Sequence, residues 1–372
     1  MITVVDGDRP DLLGHLAELR TAGAVPLVTD PRWSTEQLAA VRRAAEGAGA
    51  PDDTAWAALT SGSSGAPRIV LRSADSWADS FAAVTGFLDA GPDAVVALPA
   101  PPAASITLYS LAHALAGGPR PARDDFSDAT CFHGTPEALR ALLDRGAPPT
   151  LRAALVGGSH LGPALRARAE ADGIRVVSYY GAAELSFVAV DEGDGLRAFP
   201  GVDVEVRDGE VWVRSGFVAS GYLGDGGPLR RDGAWASVGD RAEMRDGRLV
   251  LRGRADEAIL TASATVIPDE VERALRSIPG VRDAVVFGMP RPRVGALVAA
   301  FVELDDSSVG GAPRSGPIPE PVRAAVARGL GPAHRPRRWV VGTLPRTSSG
   351  KAARADAVRL ATGLLAEGTP DA

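Results

Sequence analysis

Leu59-Thr60-Ser61-Gly62-Ser63-Ser64-Gly65-Ala66-Pro67-Arg68 lies between two segments that read as strands, Ala55 to Leu59 and Arg68 to Arg72. Hydroxyl side chains and glycines crowded into such a turn bring backbone N–H groups together, with glycine allowing positive φ or close approach. A turn of that kind cradles phosphate oxygens. The spacing differs from G-x-x-x-x-G-K-[ST], and no helix is evident behind it. On composition alone an ordinary Ser/Gly surface loop is the better account. A second stretch near the other end, Leu344-Pro345-Arg346-Thr347-Ser348-Ser349-Gly350-Lys351, reverses that weighting.

Lys351 is the one lysine in a chain of 372 residues, in which 40 positions are Lys or Arg. A chain that uses arginine almost everywhere keeps a lysine where a compact ammonium on a flexible stem is wanted, or by chance at an exposed position. Hydrophobic residues make up 45%, enough for a sizeable core, and the length suits one large or two moderate domains. Net charge is −6 with no dense basic run, which argues against a nucleic-acid partner. Cys131 stands alone, so no internal disulfide forms, which suits a reducing cytoplasm. The five histidines are scattered singly, without metal-ligand spacing. No signal peptide opens the chain, and no apolar run reaches the ~18 residues of a membrane span.

Along the chain, the first fifty residues read β-α-β-α: Ile2 to Val5, Asp11 to Ala22, Ala24 to Val28, and a helix opened by Ser34 with Glu36 and Gln37 close behind. A strand at Ala94 to Leu98 and a helix at Ile106 to Ala116 precede a Pro/Arg/Asp-rich loop, Pro119 to Asp128. A helix over Thr135 to Asp144 is capped by Thr135, with Pro136 in its first turn. Leu151 to Val156, Pro163 to Ala171 and Ile174 to Tyr179 form a β-α-β unit. Parallel pairing and ligand contacts at the strand ends follow, where Gly157-Gly158 and Tyr180-Gly181 lie. Short alternating strands with Asp-Gly turns run from Val202 to Arg252, an antiparallel region. Beyond it come a helix at Pro268 to Arg276, strands at Ala284 to Phe287 and Leu297 to Leu304, and a Gly/Pro/Ser-rich loop, Ser307 to Pro321. A helix at Pro321 to Leu330, a strand at Arg338 to Val341 and a terminal helix from Ala352 to Leu365 complete the pass. The expected fold is α/β: a large N-terminal domain, 1–255, and a small mobile α+β domain, 256–372.

Together the two loops resemble the adenylate-forming superfamily of acyl-CoA synthetases, peptide-synthetase adenylation domains and luciferases. The closest likeness is to a short bacterial acyl-CoA ligase with a reduced N-terminal region. Three further motifs fall in that family's order. The resemblance implies that Thr60, Ser61, Gly62, Ser63, Ser64 and Gly65 contact the β- and γ-phosphates of ATP, with Arg68 where the family usually has lysine. Gly157, Gly158 and Ser159 then lie under the adenine, and Tyr180-Gly181-Ala182-Ala183-Glu184 resembles Tyr-Gly-x-Thr-Glu. In that motif the aromatic stacks near adenine and the carboxylate, here Glu184, holds Mg²⁺. Ala183 replaces the threonine and removes a hydroxyl. Gly239-Asp240 resembles the motif whose carboxylate reads the ribose diol, and Gly253-Arg254-Ala255-Asp256 the motif in which Arg254 reaches ribose or phosphate and Asp256 is the hinge. Lys351 then bridges the substrate carboxylate and the α-phosphate. Taken singly, each motif is also an ordinary turn; in order, they imply adenylate chemistry.

Departures bear on the substrate and acceptor. The segment before the Ser/Gly loop is short for the family, so part of the surface over the acid site is either missing or supplied by a partner subunit or a second copy. Leu98 to Ser105 carries no gating aromatic or histidine, and Leu185-Ser186-Phe187-Val188 makes an apolar floor, which favours a hydrophobic acid over an amino acid. Ala262 and Ser263 stand where thioester-forming members carry glycine, which puts the pantetheine tunnel in question. The leading expectation is ATP-dependent, Mg²⁺-dependent formation of acyl-AMP followed by transfer to CoA. A carrier protein or amine as acceptor, and a non-catalytic nucleotide-binding relative, are the alternatives.

Overall fold

The computed structural model describes residues 1–47, 49–60, 68–224, 226–254, 259–261, 265–291, 295–305, 312–347 and 350–367. Two compact units form. The first comprises Met1–Gly239, Glu243–Val250 and Ser348–Lys351, and the second Asp240–Ala242, Leu251–Thr347 and Ala352–Ala372.

The first unit is built on two layered α/β sheets. One has five strands in the order Ile2–Asp6, Val25–Thr29, Thr54–Leu59, Ile69–Ser73 and Gly221–Tyr222. Its opening β-α-β-α pattern matches the sequence expectation, because local signals carry it. Asp11 caps the helix Leu12–Thr21, its carboxylate accepting from the Gly14 N–H at 3.2 Å. Ser34 and Gln37 form a reciprocal box at the next helix: Gln37 N–H donates to Ser34 Oγ at 3.1 Å, and Ser34 N–H to Gln37 Oε1 at 2.9 Å. The strands Thr54–Leu59 and Ile69–Ser73, which flank the Ser/Gly stretch in sequence, pair antiparallel.

The other sheet has seven strands in the order Arg197–Ala198, Ser186–Asp191, Arg175–Ala182, Ala153–Val156, Cys131–Gly134, Val95–Ala97 and Arg120–Ala122. Its last five are parallel. Phe132, Ala154, Val156 and Val176 bury one face against Leu139, Leu142, Leu143 and Leu165 of the helices Pro136–Arg145 and Pro163–Ala171. Two features differ from the sequence expectation. Arg120–Ala122, placed in a loop by composition, is an edge strand, where Pro121 costs no ladder bond. Asp75–Phe87, for which no element was expected, is a helix.

A third, six-stranded sheet carries the Asp-Gly hairpins. Asp208 and Gly209 have φ of 50° and 77°, and Asp246 and Gly247 of 49° and 73°, the paired positive values a two-residue hairpin turn requires. In the second unit, Val281–Arg291, Gly295–Leu304, Arg338–Val341 and Arg314–Ser315 form a four-stranded sheet. Its strands alternate faces: Val286, Val298 and Ala300 meet the helices Pro268–Arg276 and Glu320–Gly329, while Val285, Phe287 and Phe301 meet Arg354–Glu367. Arg314–Ser315 falls inside the stretch expected to be a loop, drawn into the sheet by pairing with Arg338–Val341.

Candidate active site

The Ser/Gly stretch is closed at its base by the backbone. Thr60 N–H donates to the Arg68 carbonyl at 2.9 Å, and Arg68 N–H to Thr60 Oγ1 at 3.3 Å. Ser61, Gly62, Ser63, Ser64 and Gly65 lie outside the described residues, as do Asp256, Ala262 and Ser263. The strand leaving the loop, Ile69–Ser73, pairs on its far side with Gly221–Tyr222, which brings Tyr222 to the site.

Tyr180 and Gly181 do not lie beyond a strand end. The strand continues to Ala182 and turns back as an antiparallel hairpin into Ser186–Asp191, with a bulge between Phe187 and Ala189. The turn is tight: a Cβ on Gly181 would stand 2.0 Å from the Ser186 carbonyl oxygen. Glu184, in this turn, is only 5% exposed. Tyr222 donates its hydroxyl to Glu184 Oε1 at 2.8 Å, and the Ala219 N–H donates to the Glu184 carbonyl at 2.7 Å. Burial, with the Glu184 charge beside it, raises the Tyr222 phenol well above its ordinary range. The Tyr222 ring lies against Gly227, where a Cβ would stand 2.0 Å from Tyr222 Cε2.

Arg72 lies beneath the turn, fully buried. Its Nε and Nη2 both donate to the Ala183 carbonyl, at 3.1 and 2.7 Å, and Nη1 donates to the Phe217 carbonyl at 2.7 Å and Ser76 Oγ at 3.2 Å. Burial lowers its pKa to about 9, with Glu184 acting in the opposite sense.

Gly157, Gly158 and Ser159 form the turn after Ala153–Val156. Gly157 is covered by the Tyr179 ring, and a Cβ on it would lie 2.2 Å from Tyr179 Cζ. The Tyr179 hydroxyl hydrogen-bonds His133 Nε2 at 3.1 Å, and His133 Nδ1 pairs with Ser110 Oγ at 2.8 Å. Desolvation pushes His133 down to about 3, so this chain is neutral. Phe187 packs against Tyr179, Tyr109 and Phe199 with ring centroids 4.6, 5.1 and 4.8 Å apart. Of the expected floor, Leu185, Phe187 and Val188 are buried and Ser186 is half-buried with φ of 59°, and Phe187 is its aromatic member.

Gly158 has φ of +88°, and a Cβ on it would lie 2.5 Å from Lys351 Cε and 2.9 Å from Lys351 Nζ. Gly350 and Lys351 belong to the first unit. Lys351 is half-buried, and desolvation lowers its pKa. In the second unit, the segment leading to this loop is pinned by charge. Arg346 donates to Asp283 Oδ2 at 2.7 Å and Glu303 Oε2 at 2.9 Å, and the Leu344 N–H to Glu303 Oε2 at 3.0 Å. Asp240, a residue of the second unit, opens the strand Asp240–Arg245 and is half-buried, and Arg254, also of the second unit, ends the strand Arg248–Arg254.

Arg72, Tyr222, Tyr179 and His133 were absent from the sequence-based set. Arg72 had a signal: a guanidinium directly after Ile69-Val70-Leu71, in a strand short enough to be buried throughout.

Residues 8–223 match the family model "AMP-binding enzyme", and 270–351 match "AMP-binding enzyme C-terminal domain". A probable 2-succinylbenzoate–CoA ligase of Mycobacterium tuberculosis is 33% identical over 342 residues, covering 84% of this chain and 86% of the relative. A 2-succinylbenzoate–CoA ligase of Salmonella typhimurium is 35% identical over 184 residues, 47% of this chain and only 40% of the relative. Among solved structures, the o-succinylbenzoate CoA synthetase of Bacillus subtilis with its acyl-adenylate superposes with a TM-score of 0.79 at 18% identity, over 95% of this chain and 87% of the other, a likeness of fold. No helix among the described residues is long and apolar enough to cross a membrane. With more than half its length under one family model and most of it aligned to a relative one-third identical, the chain belongs to the AMP-binding enzyme family.

Proposed function

We propose that the chain is an acid–thiol ligase: it activates a carboxylic acid with ATP and transfers the acyl group to CoA. One observation carries this reading. Within the first unit, the strand leaving the Ser/Gly loop pairs with the strand of Tyr222, Tyr222 bonds the buried Glu184, and the Gly157–Gly158 turn packs on Lys351 and on Tyr179, whose strand runs into the Glu184 turn. In the first step a carboxylate oxygen of the acid attacks the α-phosphorus. The bond from that phosphorus to the β-bridging oxygen breaks, and pyrophosphate leaves with its electron pair. No base is needed, because the acid is already ionised. Lys351 stabilises the charge gathering between acid and α-phosphate. In the second step the thiol sulfur attacks the acyl carbonyl, AMP departs, and the thiol proton is released.

Glu184 fits the holding of Mg²⁺, since its carboxylate is buried, accepts from the Tyr222 hydroxyl and, among the described residues, is in no ion pair. Among the described residues no group of three His, Cys, Asp or Glu could bind a metal unaided, which suits an ion that arrives with the nucleotide's phosphates. When bound, Mg²⁺ supplies charge neutralisation at the phosphates. Asp240 and Arg254 are assigned to the ribose, Thr60 and Arg68 with the intervening loop to the β- and γ-phosphates, and Asp256 to the hinge between domains 1–255 and 256–372. The aromatic wall of Tyr109, Tyr179, Phe187 and Phe199 supports an apolar or aromatic acid, of which 2-succinylbenzoate, named for the relatives, is the first to try. The lone, buried Cys131 supports a cytoplasmic setting. The test is pyrophosphate release with ATP, Mg²⁺ and a panel of aromatic and fatty acids, with and without CoA. Release that needs one acid and rises with CoA is expected. Acid-dependent release indifferent to CoA moves the acceptor to a carrier protein or amine, and silence across the panel refutes the ligase.

A further inference from the structure

We infer that Arg72 is a positioning residue of the nucleotide site: it fixes the Glu184 carboxylate for a magnesium-bound nucleotide through the Ala183 carbonyl. This rests on the proposed role of Glu184.

A guanidinium taken wholly out of water is costly unless its N–H groups are met. Here four hydrogen bonds are made, and the face of the group lies over the Trp77 ring, 5.5 Å from its centroid. Packing alone does not call for such a group, since the preceding Ile69, Val70 and Leu71 fill the same strand with apolar side chains. What distinguishes position 72 is the pair of carbonyls it grips. Ala183 immediately precedes Glu184. Phe217 opens the short run to Ala219, whose N–H donates to the Glu184 carbonyl. Arg72 therefore holds the carbonyl of the peptide entering Glu184 and the start of the run that supplies its backbone donor, and it does so from the strand that leaves the Ser/Gly loop, four residues after Arg68. The side chain that fastens the metal-holding carboxylate is thus rooted in the strand that follows the Ser/Gly stretch. Only a planar fork donates twice to one carbonyl while reaching a second, so lysine retains the charge without the geometry.

The test compares wild type, Arg72→Lys and Leu27→Ala. Leu27 is fully buried in the same sheet, in the apolar cluster that holds Ile69 and Leu71 on the face opposite Arg72, so its truncation destabilises the sheet alone. ATP binding is measured by calorimetry across a Mg²⁺ titration, and KM for the acid is measured separately. Arg72→Lys is expected to raise the half-saturating Mg²⁺ roughly tenfold, the scale of one lost charge-assisted hydrogen bond, with acid KM within about twofold of wild type. Leu27→Ala is expected to lower thermal stability without moving the Mg²⁺ dependence. An unchanged Mg²⁺ dependence in Arg72→Lys, or an equal shift in Leu27→Ala, overturns the inference. If Arg72→Lys does not fold, Ser76→Ala removes one of the four hydrogen bonds and keeps the guanidinium. A twofold to threefold rise in half-saturating Mg²⁺ supports the inference there, and no rise overturns it. Wild type that binds no ATP at any Mg²⁺ concentration refutes the nucleotide site itself, and the inference with it.

Discussion

Gly157→Ala puts a methyl group into the ring of Tyr179. The added Cβ would lie 2.2, 2.4 and 2.6 Å from Cζ, Cε1 and Cε2. Carbon atoms pack at roughly 3.5–4.0 Å, so the ring has to withdraw by about 1 Å or more. Gly157 is not among the glycines of positive φ, so its backbone accepts alanine and the clash is a side-chain effect. Withdrawal pulls the phenol from His133 Nε2, now 3.1 Å away, and disturbs the packing on Phe187, 4.6 Å between centroids. Leaving a buried imidazole nitrogen unmet costs about 1–3 kcal/mol, and overpacking a further 1–3 kcal/mol. Together they predict a loss of about 2–6 kcal/mol, read by urea denaturation through tryptophan fluorescence. Tyr179→Ala removes the obstacle, so in the double variant the two losses should fall short of their sum by at least ~1 kcal/mol. Gly157→Ala within ~0.5 kcal/mol of wild type, or an additive cycle, would refute the reasoning.

Two further expectations concern the same unit. Desolvation holds His133 at about 3 and His113 at about 4, below the ordinary 6.5. The unfolded chain therefore binds more protons below pH 6.5. The stability from neutral burial is complete above that pH and is lost as pH falls towards 4, at up to about 1.4 kcal/mol per pH unit for each histidine. Denaturation midpoints that do not move between pH 7 and 5 would contradict this, and His133→Phe should lessen the slope. Gly158→Ala meets both a positive φ, worth about 1–2 kcal/mol, and the Lys351 stem. It should slow pyrophosphate release more than it lowers stability, whereas full activity in that variant would detach Lys351 from this turn.

Much of the fold was legible where short-range chemistry decides structure. Ser34 and Gln37 marked a helix start, and the Asp-Gly pairs marked hairpins. Elements set by their surroundings were not. Arg120–Ala122 has a loop's composition and becomes a strand by pairing with Val95–Ala97 at an edge. The helix Asp75–Phe87 offered one cue, Ser73, whose hydroxyl accepts from the Ser76 N–H at 3.2 Å. At the site, motif spacing pointed to Tyr180 and Glu184, because spacing along one segment survives in sequence. Arg72 reaches the Ala183 carbonyl from 111 positions away in the chain and Tyr222 reaches Glu184 from 38, and no spacing rule records such a meeting. Tyr179 was passed over for its neighbour, since its contact with Gly157 exists only once two parallel strands are side by side.

The central claim is that Lys351 stabilises the charge formed as an acid attacks ATP. Acid-dependent pyrophosphate release by wild type and Lys351→Ala, with ATP binding measured alongside, tests it most directly. The account predicts a fall of at least ~10²–10³-fold in release, the scale of losing one electrostatic group at a developing charge, while ATP still binds. Undiminished release by Lys351→Ala would contradict it.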